Sequence, residues 1–184
     1  MDKAVSNLDR VIMGIDPGTN MMGYAILGIC GNKPHMVAMG VIELDKIGDH
    51  YTRLGRIYQR VTMLVEQYCP DEMAIEAPFF GKNVQSMLKL GRAISRQVPI
   101  AEYEPRKIKQ AITGNGAASK EQVREMLRHI LSIPQEQMHP KLDSTDALGA
   151  ALCHYYESSR PQLPKGPASW KEFAARNPDR IKGL

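Results

Sequence analysis

Val11-Ile12-Met13-Gly14-Ile15-Asp16-Pro17-Gly18-Thr19-Asn20 is an apolar run that ends in an aspartate and breaks at once into a Pro-Gly turn. A short apolar run bounded by turn residues reads as a buried strand, Val11–Ile15. The aspartate then stands at the mouth of that strand, with the turn's backbone close by to hold it. Two later carboxylate placements fit the first: Glu76 after a second apolar run, and Asp143 with Asp146 at the start of a helix.

Outward from this strand, Tyr24–Ile29 and Met36–Leu44 read as two more, joined by the turn signal Gly31-Asn32-Lys33-Pro34. Three strands with short links predict an antiparallel meander. A helix follows from about Thr52 to Tyr68, with Leu54, Ile57, Val61, Leu64, Val65 and Tyr68 on one face and Arg53, Arg56 and Arg60 on the other. Glu72–Ala77 reads as a strand, Asn83 to about Arg96 as a helix, Val98–Tyr103 as a strand, and Pro105–Ile112 as a short helix. Ser119 with Gln122 makes a capping box before the apolar face Val123, Met126, Leu127, Ile130 and Leu131. The last helix of the domain is expected from about Leu142 to Tyr156. This order predicts an α/β fold with a mixed sheet: antiparallel first three strands, parallel later strands through helical crossovers, and helices on both faces. The expected domain is 10–157. Residues 158–184 follow as a Pro-containing linker (Pro161, Pro164, Pro167) and a basic tail with Trp170 and Phe173.

The 184 residues suffice for one domain with a real core, and 43% apolar with 24% charged content is that of a soluble globular protein. No run approaches the ~20 apolar residues of a membrane span, and the start of the chain lacks a signal-peptide core. A cytoplasmic protein is expected. Cys30, Cys69 and Cys153 have neither metal-ligand nor disulfide spacing and read as reduced, buried thiols. From Arg160 onward six basic residues oppose two acidic ones, which accounts for the whole net charge of +4. Such a balance is compatible with a nucleic-acid partner without establishing one.

Each acid alone admits a plain structural reading. Asp16 could only shape an Asp-Pro-Gly turn. Asp143 and Asp146 could only complement the helix dipole, worth roughly 0.3–1 kcal/mol. Glu76, inside Met73–Phe80, is harder to place without a partner, since an unpaired buried acid costs several kcal/mol. As a set they point elsewhere. Functional groups of open sheets gather at the carboxyl ends of strands. A final helix packed there would add Asp143 and Asp146 to Asp16 and Glu76. Four such acids repel and raise each other's pKa unless a cation neutralises them. All-oxygen ligands suit Mg²⁺, with Mn²⁺ as a substitute. Two such ions, ~3.5–4 Å apart, hydrolyse phosphodiesters. Candidate DNA contacts are Lys82, Lys89 and Arg92 after the Glu76 strand. Arg106, Lys107, Lys109 and Lys120 lie around the loop Thr113-Gly114-Asn115-Gly116, whose glycines suit backbone approach to phosphates. Phe79 or Phe80, beyond the strand-ending Pro78, could stack on a base.

The motifs Gly14-Ile15-Asp16-Pro17-Gly18-Thr19, Ile75-Glu76-xx-Phe79, Gly81-Lys82-Asn83-xx-Ser86-xx-Lys89-Leu90-Gly91-x-Ala93, Thr113-Gly114-x-Gly116-x-Ala118-x-Lys120-x-Gln122-Val123 and Asp143-xx-Asp146-Ala147-Leu148, in this order, closely resemble the RuvC family of Holliday-junction endonucleases over about residues 10–157. The resemblance implies a ribonuclease-H-like five-stranded sheet and a homodimer. It also implies Mg²⁺-dependent, paired symmetric nicking of four-way DNA junctions in recombination and repair, often beside a branch-migration motor. By position, Asp16, Glu76, Asp143 and Asp146 resemble the catalytic metal-binding acids. Lys109 and Lys120 resemble the functional basic residues, and Phe79 the aromatic at the crossover. One departure stands out: between Ala93 and Val98 the chain is roughly eight residues, or ~12 Å of helix, shorter than the family pattern. That helix is a natural candidate for the dimer face.

Three rival readings share parts of this evidence. The Asp16–Thr19 element also resembles the first phosphate loop of actin-like and sugar-kinase ATPases, which need two such domains. A ribonuclease on RNA–DNA hybrids shares the fold and the acids, but the Gly81–Ala93 and Thr113–Val123 motifs argue against it. A junction-binding protein inactivated by the shortened helix is disfavoured by the intact acids.

Overall fold

The computed structural model describes residues 8–18, 20–77, 98–159 and 170–176. β1 (Arg10–Asp16), β2 (Met21–Cys30) and β3 (Lys33–Glu43) form the expected meander. Its hairpin is tighter than the sequence signal. Gly31 and Asn32, at φ 53° and 64°, are the whole connection, and Cys30 already pairs with Lys33. Positive φ at both residues matches the twist of the flanking strands. Pro34 therefore lies inside β3. A proline is tolerated there because β3 is the sheet edge.

Helix α1 (His50–Tyr68) starts where Asp49 accepts a hydrogen bond from the Thr52 amide, and it leads back to β4 (Glu72–Glu76). β5 (Ile100–Tyr103) is shorter than expected by two residues at its start. The strand order is β3-β2-β1-β4-β5, with β1–β4 and β4–β5 parallel. α2 (Pro105–Thr113), α3 (Lys120–Ile130) and α4 (Leu142–Ser159) follow. α3 carries the full Ser119/Gln122 capping box. A further helix, α5 (Trp170–Arg176), lies in the basic tail. The predicted helix over 83–96, the shortened spacing after Ala93 and the linker prolines lie outside the described residues.

Strand alternation divides the core in two. Val11, Met13, Ile15, Met22, Ile26, Met73 and Ile75 pack with Ile57, Val61, Leu64 and Val65 of α1. Ile12, Ala25, Leu27 and Ala74 pack with α2, α3 and α4 on the opposite face. Helices thus cover both faces. α4 is apolar nearly all round because it lies between the sheet and α2 and α3. The expectation of buried thiols holds for Cys153 alone: Cys69 is half-buried and Cys30, at the hairpin, is exposed.

Candidate metal centre

Asp16 and Glu76 are the last residues of β1 and β4, which run parallel with Ile15 opposite Ile75. Both carboxylates follow the alternation that sends Ile12 and Ala74 to the α4 side. α4 brings the third acid. It comes down onto the sheet at two glycines, where no side chain holds it off. A Cβ at Gly14 would lie 2.0 Å from the Ala147 carbonyl oxygen, and one at Gly23 would lie 1.9 Å from that of Asp143. Gly23 is the β2 partner of Asp16. The first turn of α4 is therefore pressed against the sheet beside Asp16.

Carboxylate oxygens of Asp16, Glu76 and Asp146 all lie within 4.8 Å of one another, each side chain half-buried. Asp143, predicted as a fourth member, is not in this trio, although its charge is felt by Asp16, Asp146 and Lys120. Burial, then the charges of Glu76 and Asp146, push the Asp16 carboxyl up to about 7, against the opposing pull of Lys120. Burial and Asp146 push Glu76 up to about 7, opposed by Lys120 and Lys109. Burial also raises Asp146, although Lys120 hydrogen-bonds it. For Lys120, burial pulls downward, but the hydrogen bond and charge of Asp146 outweigh it and hold the ammonium above its ordinary value. The cluster is a set of hard oxygen donors with more negative charge than its two lysines neutralise. That donor chemistry fits a divalent cation, and nitrogen and sulfur donors are absent from the trio.

Of the predicted DNA-contact residues, Lys120 opens α3 and pairs with Asp146, with half its side chain open to solvent. Lys109 on α2 lies near enough for its charge to act on Glu76 and Asp146. Lys107 points elsewhere, pairing with Glu157 at 2.7 Å and lying over the Tyr103 ring. Phe79, Lys82 and Lys89 lie outside the described residues.

The 113–116 loop differs from expectation. The Asn115 amide donates to Thr113 Oγ1, the Gly116 amide to Gln110 Oε1, and the Ala117 amide to Asn115 Oδ1. Its amides are engaged internally, so the loop fixes the α2–α3 geometry and does not offer phosphates an open backbone cradle. The sequence reading also missed Gly23 and a polar cluster at the far end of α4. There Glu72 accepts from Arg10 and from His154 Nε2, and His154 Nδ1 meets the Tyr103 hydroxyl at 2.7 Å. A glycine inside a strand was the available signal for the first. Nothing local marked the second, which joins residues 62 and 82 positions apart.

A mixed sheet with acids at the adjoining ends of its two central parallel strands, and a third acid on a helix laid across them, defines the ribonuclease-H-like nuclease class. The family profile described as "Crossover junction endodeoxyribonuclease RuvC" matches residues 12–154. A RuvC of Bacteroides fragilis is 55% identical, with 95% of this chain and 97% of that one aligned. One of Porphyromonas gingivalis is also 55% identical, over 97% and 100%. The structure of Thermus thermophilus RuvC in complex with Holliday junction substrate superposes with a TM-score of 0.71 at 28% identity, covering 81% of this chain and 94% of that one. The chain belongs to the RuvC family of crossover junction endodeoxyribonucleases.

Proposed function

We propose that this chain resolves four-way DNA junctions by paired, symmetric nicks, hydrolysing phosphodiester bonds in recombination and repair. The observation that carries the reading is the Asp16–Glu76–Asp146 trio, in a chain of this family, at the shared end of β1 and β4. Asp16 is the central ligand of the proposed site, with Glu76 and Asp146 on either side. Asp143, half-buried in the first turn of α4, completes the set through its charge on Asp16 and Asp146. Mg²⁺ is the proposed ion, two per subunit, with Mn²⁺ able to replace it; when bound, it supplies Lewis-acid activation of water and charge neutralisation at the leaving oxygen.

The protein's own residues do the remaining work. The raised carboxyls of Asp16 and Glu76 must lose their protons before they can ligate, so cation binding releases protons and weakens as pH falls. Lys120, tethered to Asp146 yet half open, is placed to hold a non-bridging oxygen of the scissile phosphate. Lys109 supplies a second positive charge on the Glu76 side. Phe79, Lys82 and Lys89 are proposed as further DNA contacts, with Phe79 at the crossover. The nuclease unit is 10–157, with 158–184 as its tail. A homodimer is proposed because two sites related by a two-fold axis suit two strands related by the junction's own axis. A branch-migration motor is the proposed partner, and the cytoplasm the proposed location. No helix among the described residues is long and apolar enough to cross a membrane.

The test is cleavage of a labelled synthetic four-way junction with Mg²⁺, beside plain duplex and an RNA–DNA hybrid. Paired nicks on the junction alone are expected. Equal cutting of the hybrid would overturn the substrate assignment, and binding without nicks would overturn the catalytic one.

A further inference from the structure

We propose that the concavity between the end of β3 and α1 is a second phosphate-binding site, which holds DNA backbone away from the point of cleavage. The proposal rests on the junction-cutting function above. The cavity is about 490 Å³ and is lined by Val41, Ile42, Glu43, Lys46, Arg56 and Arg60. Arg56 and Arg60 are successive turns of α1, ~6 Å apart along its axis. Neither has a hydrogen bond or ion pair with any described residue. Lys46 reaches only Glu43, at 3.8 Å across an exposed rim. The other acids of this segment are engaged locally: Asp49 caps α1 through the Thr52 amide, and Asp45 accepts from the Lys46 amide. Three cations therefore share one concavity with a single, loosely held carboxylate.

Place is the second argument. Asp16 pairs with Gly23, and Gly23 pairs with Val41, so the cavity lies at the same end of the sheet as the acid trio. Two strand spacings, ~10 Å, separate the Asp16 and Val41 backbones along the sheet. Arg53 ties the first turn of α1 to this end: its Nε donates to the Ile47 carbonyl at 2.7 Å, and a terminal nitrogen reaches Asn20 Oδ1 at 3.4 Å, just past the turn that holds Asp16. The cations are thus carried on a braced element. A nucleic acid that presents one phosphate to Asp16 carries further phosphates along its backbone past this end of the sheet. Two guanidiniums with free N–H forks are the side chains best matched to them. This face is covered by α1, opposite the α2–α3–α4 side that carries Lys109 and Lys120, so it adds a contact those residues cannot make.

The experiment uses the full chain. Arg56→Ala/Arg60→Ala changes two positions outside the buried core to the best helix former, so the fold is retained. Binding of a four-way junction is measured across a salt series in metal-free buffer. The slope of log affinity against log salt should become shallower by about 2, since each lost phosphate contact removes ~0.9. Arg56→Lys/Arg60→Lys should restore most of it. A slope and affinity equal to wild type would overturn the proposal. So would an unchanged slope together with wild-type-only binding of a poly-glutamate peptide, which would make this an acidic-protein site. If the wild type shows no preference for junctions yet the double variant still loses slope on plain duplex, the phosphate site stands and the junction reading falls.

Discussion

Asp16 is surrounded by charge of its own sign, and that decides what its substitution does. Asp16→Asn removes the central oxygen ligand of the trio and should abolish nicking while leaving junction affinity within about twofold. Gel-shift and cleavage assays on one labelled junction check both, and substantial residual nicking would refute the role. The same change should stabilise the metal-free protein at pH 8 by an amount of order 1–3 kcal/mol, read as a raised melting temperature, because it relieves a half-buried like-charge contact. At this scale much was legible. Asp16 and Glu76 close apolar runs, and a strand end is where an acid is presented and not buried. Asp143 was grouped with Asp146 by helical spacing. Residues three apart are nevertheless ~60° and ~4.5 Å from each other, and only Asp146 reaches the trio. The Lys120–Asp146 pair could not be read, because the two belong to different helices.

At the scale of elements, α4 carries the site only because β1 and β2 present backbone without side chains beneath it. Gly23→Ala would drive a methyl group into the Asp143 carbonyl and lift the first turn of α4. Overpacking of this kind costs typically 1–3 kcal/mol. A shift of ~1 Å at reacting groups lowers rates by ~100-fold. Gly23→Ala should therefore fold, lose ~10–100-fold in nicking, and need more Mg²⁺ for half its maximal rate. A rate loss with an unchanged Mg²⁺ requirement would show that the glycine serves stability alone. Helices, caps and strand order were readable because they follow local periodicity and turn chemistry. The closeness of α4 was not: a glycine inside a strand hints at a close approach, but nothing in the sequence says that Ala147 and Asp143 are what approach Gly14 and Gly23. The 113–116 loop misled for a related reason. Two glycines suggest an open loop, but Gln110, one turn earlier on α2, and Thr113 at its end close it.

Over the whole molecule, α4 meets the same strand at both ends, through repulsion between acids at one and a hydrogen bond at the other. Asp146 sits over Glu76, and His154 meets Glu72, the first residue of β4. Eight helical residues rise ~12 Å and four strand steps ~13 Å, so the two spans match. His154→Ala would leave Glu72 and the Tyr103 hydroxyl each short of a partner. It should cost about 1–3 kcal/mol, read as a lowered melting temperature. The two ends also respond to pH with opposite sign. Burial alone would raise the Glu72 carboxyl, but hydrogen bonds from Arg10 and His154 hold it below its ordinary 4.5. Its contribution is present above that value and is lost as pH falls through the lower folded one. Asp16 and Glu76 lie near 7 when folded, against ordinary values of 3.8 and 4.5. Between those limits the folded chain holds protons that the unfolded chain has released, so stability falls as pH rises through the window. The metal-free protein should thus be most stable at acid pH, about 4–5, losing stability above through the trio and below through Glu72. Binding of Mg²⁺, the proposed ion, should replace the protons on the trio and move the optimum above pH 7, while leaving the acid limb where it was. Melting temperatures from pH 2.5 to 9, with and without Mg²⁺, test this. A metal-free optimum at or above pH 8 would mean that the three carboxylates do not repel as their spacing requires.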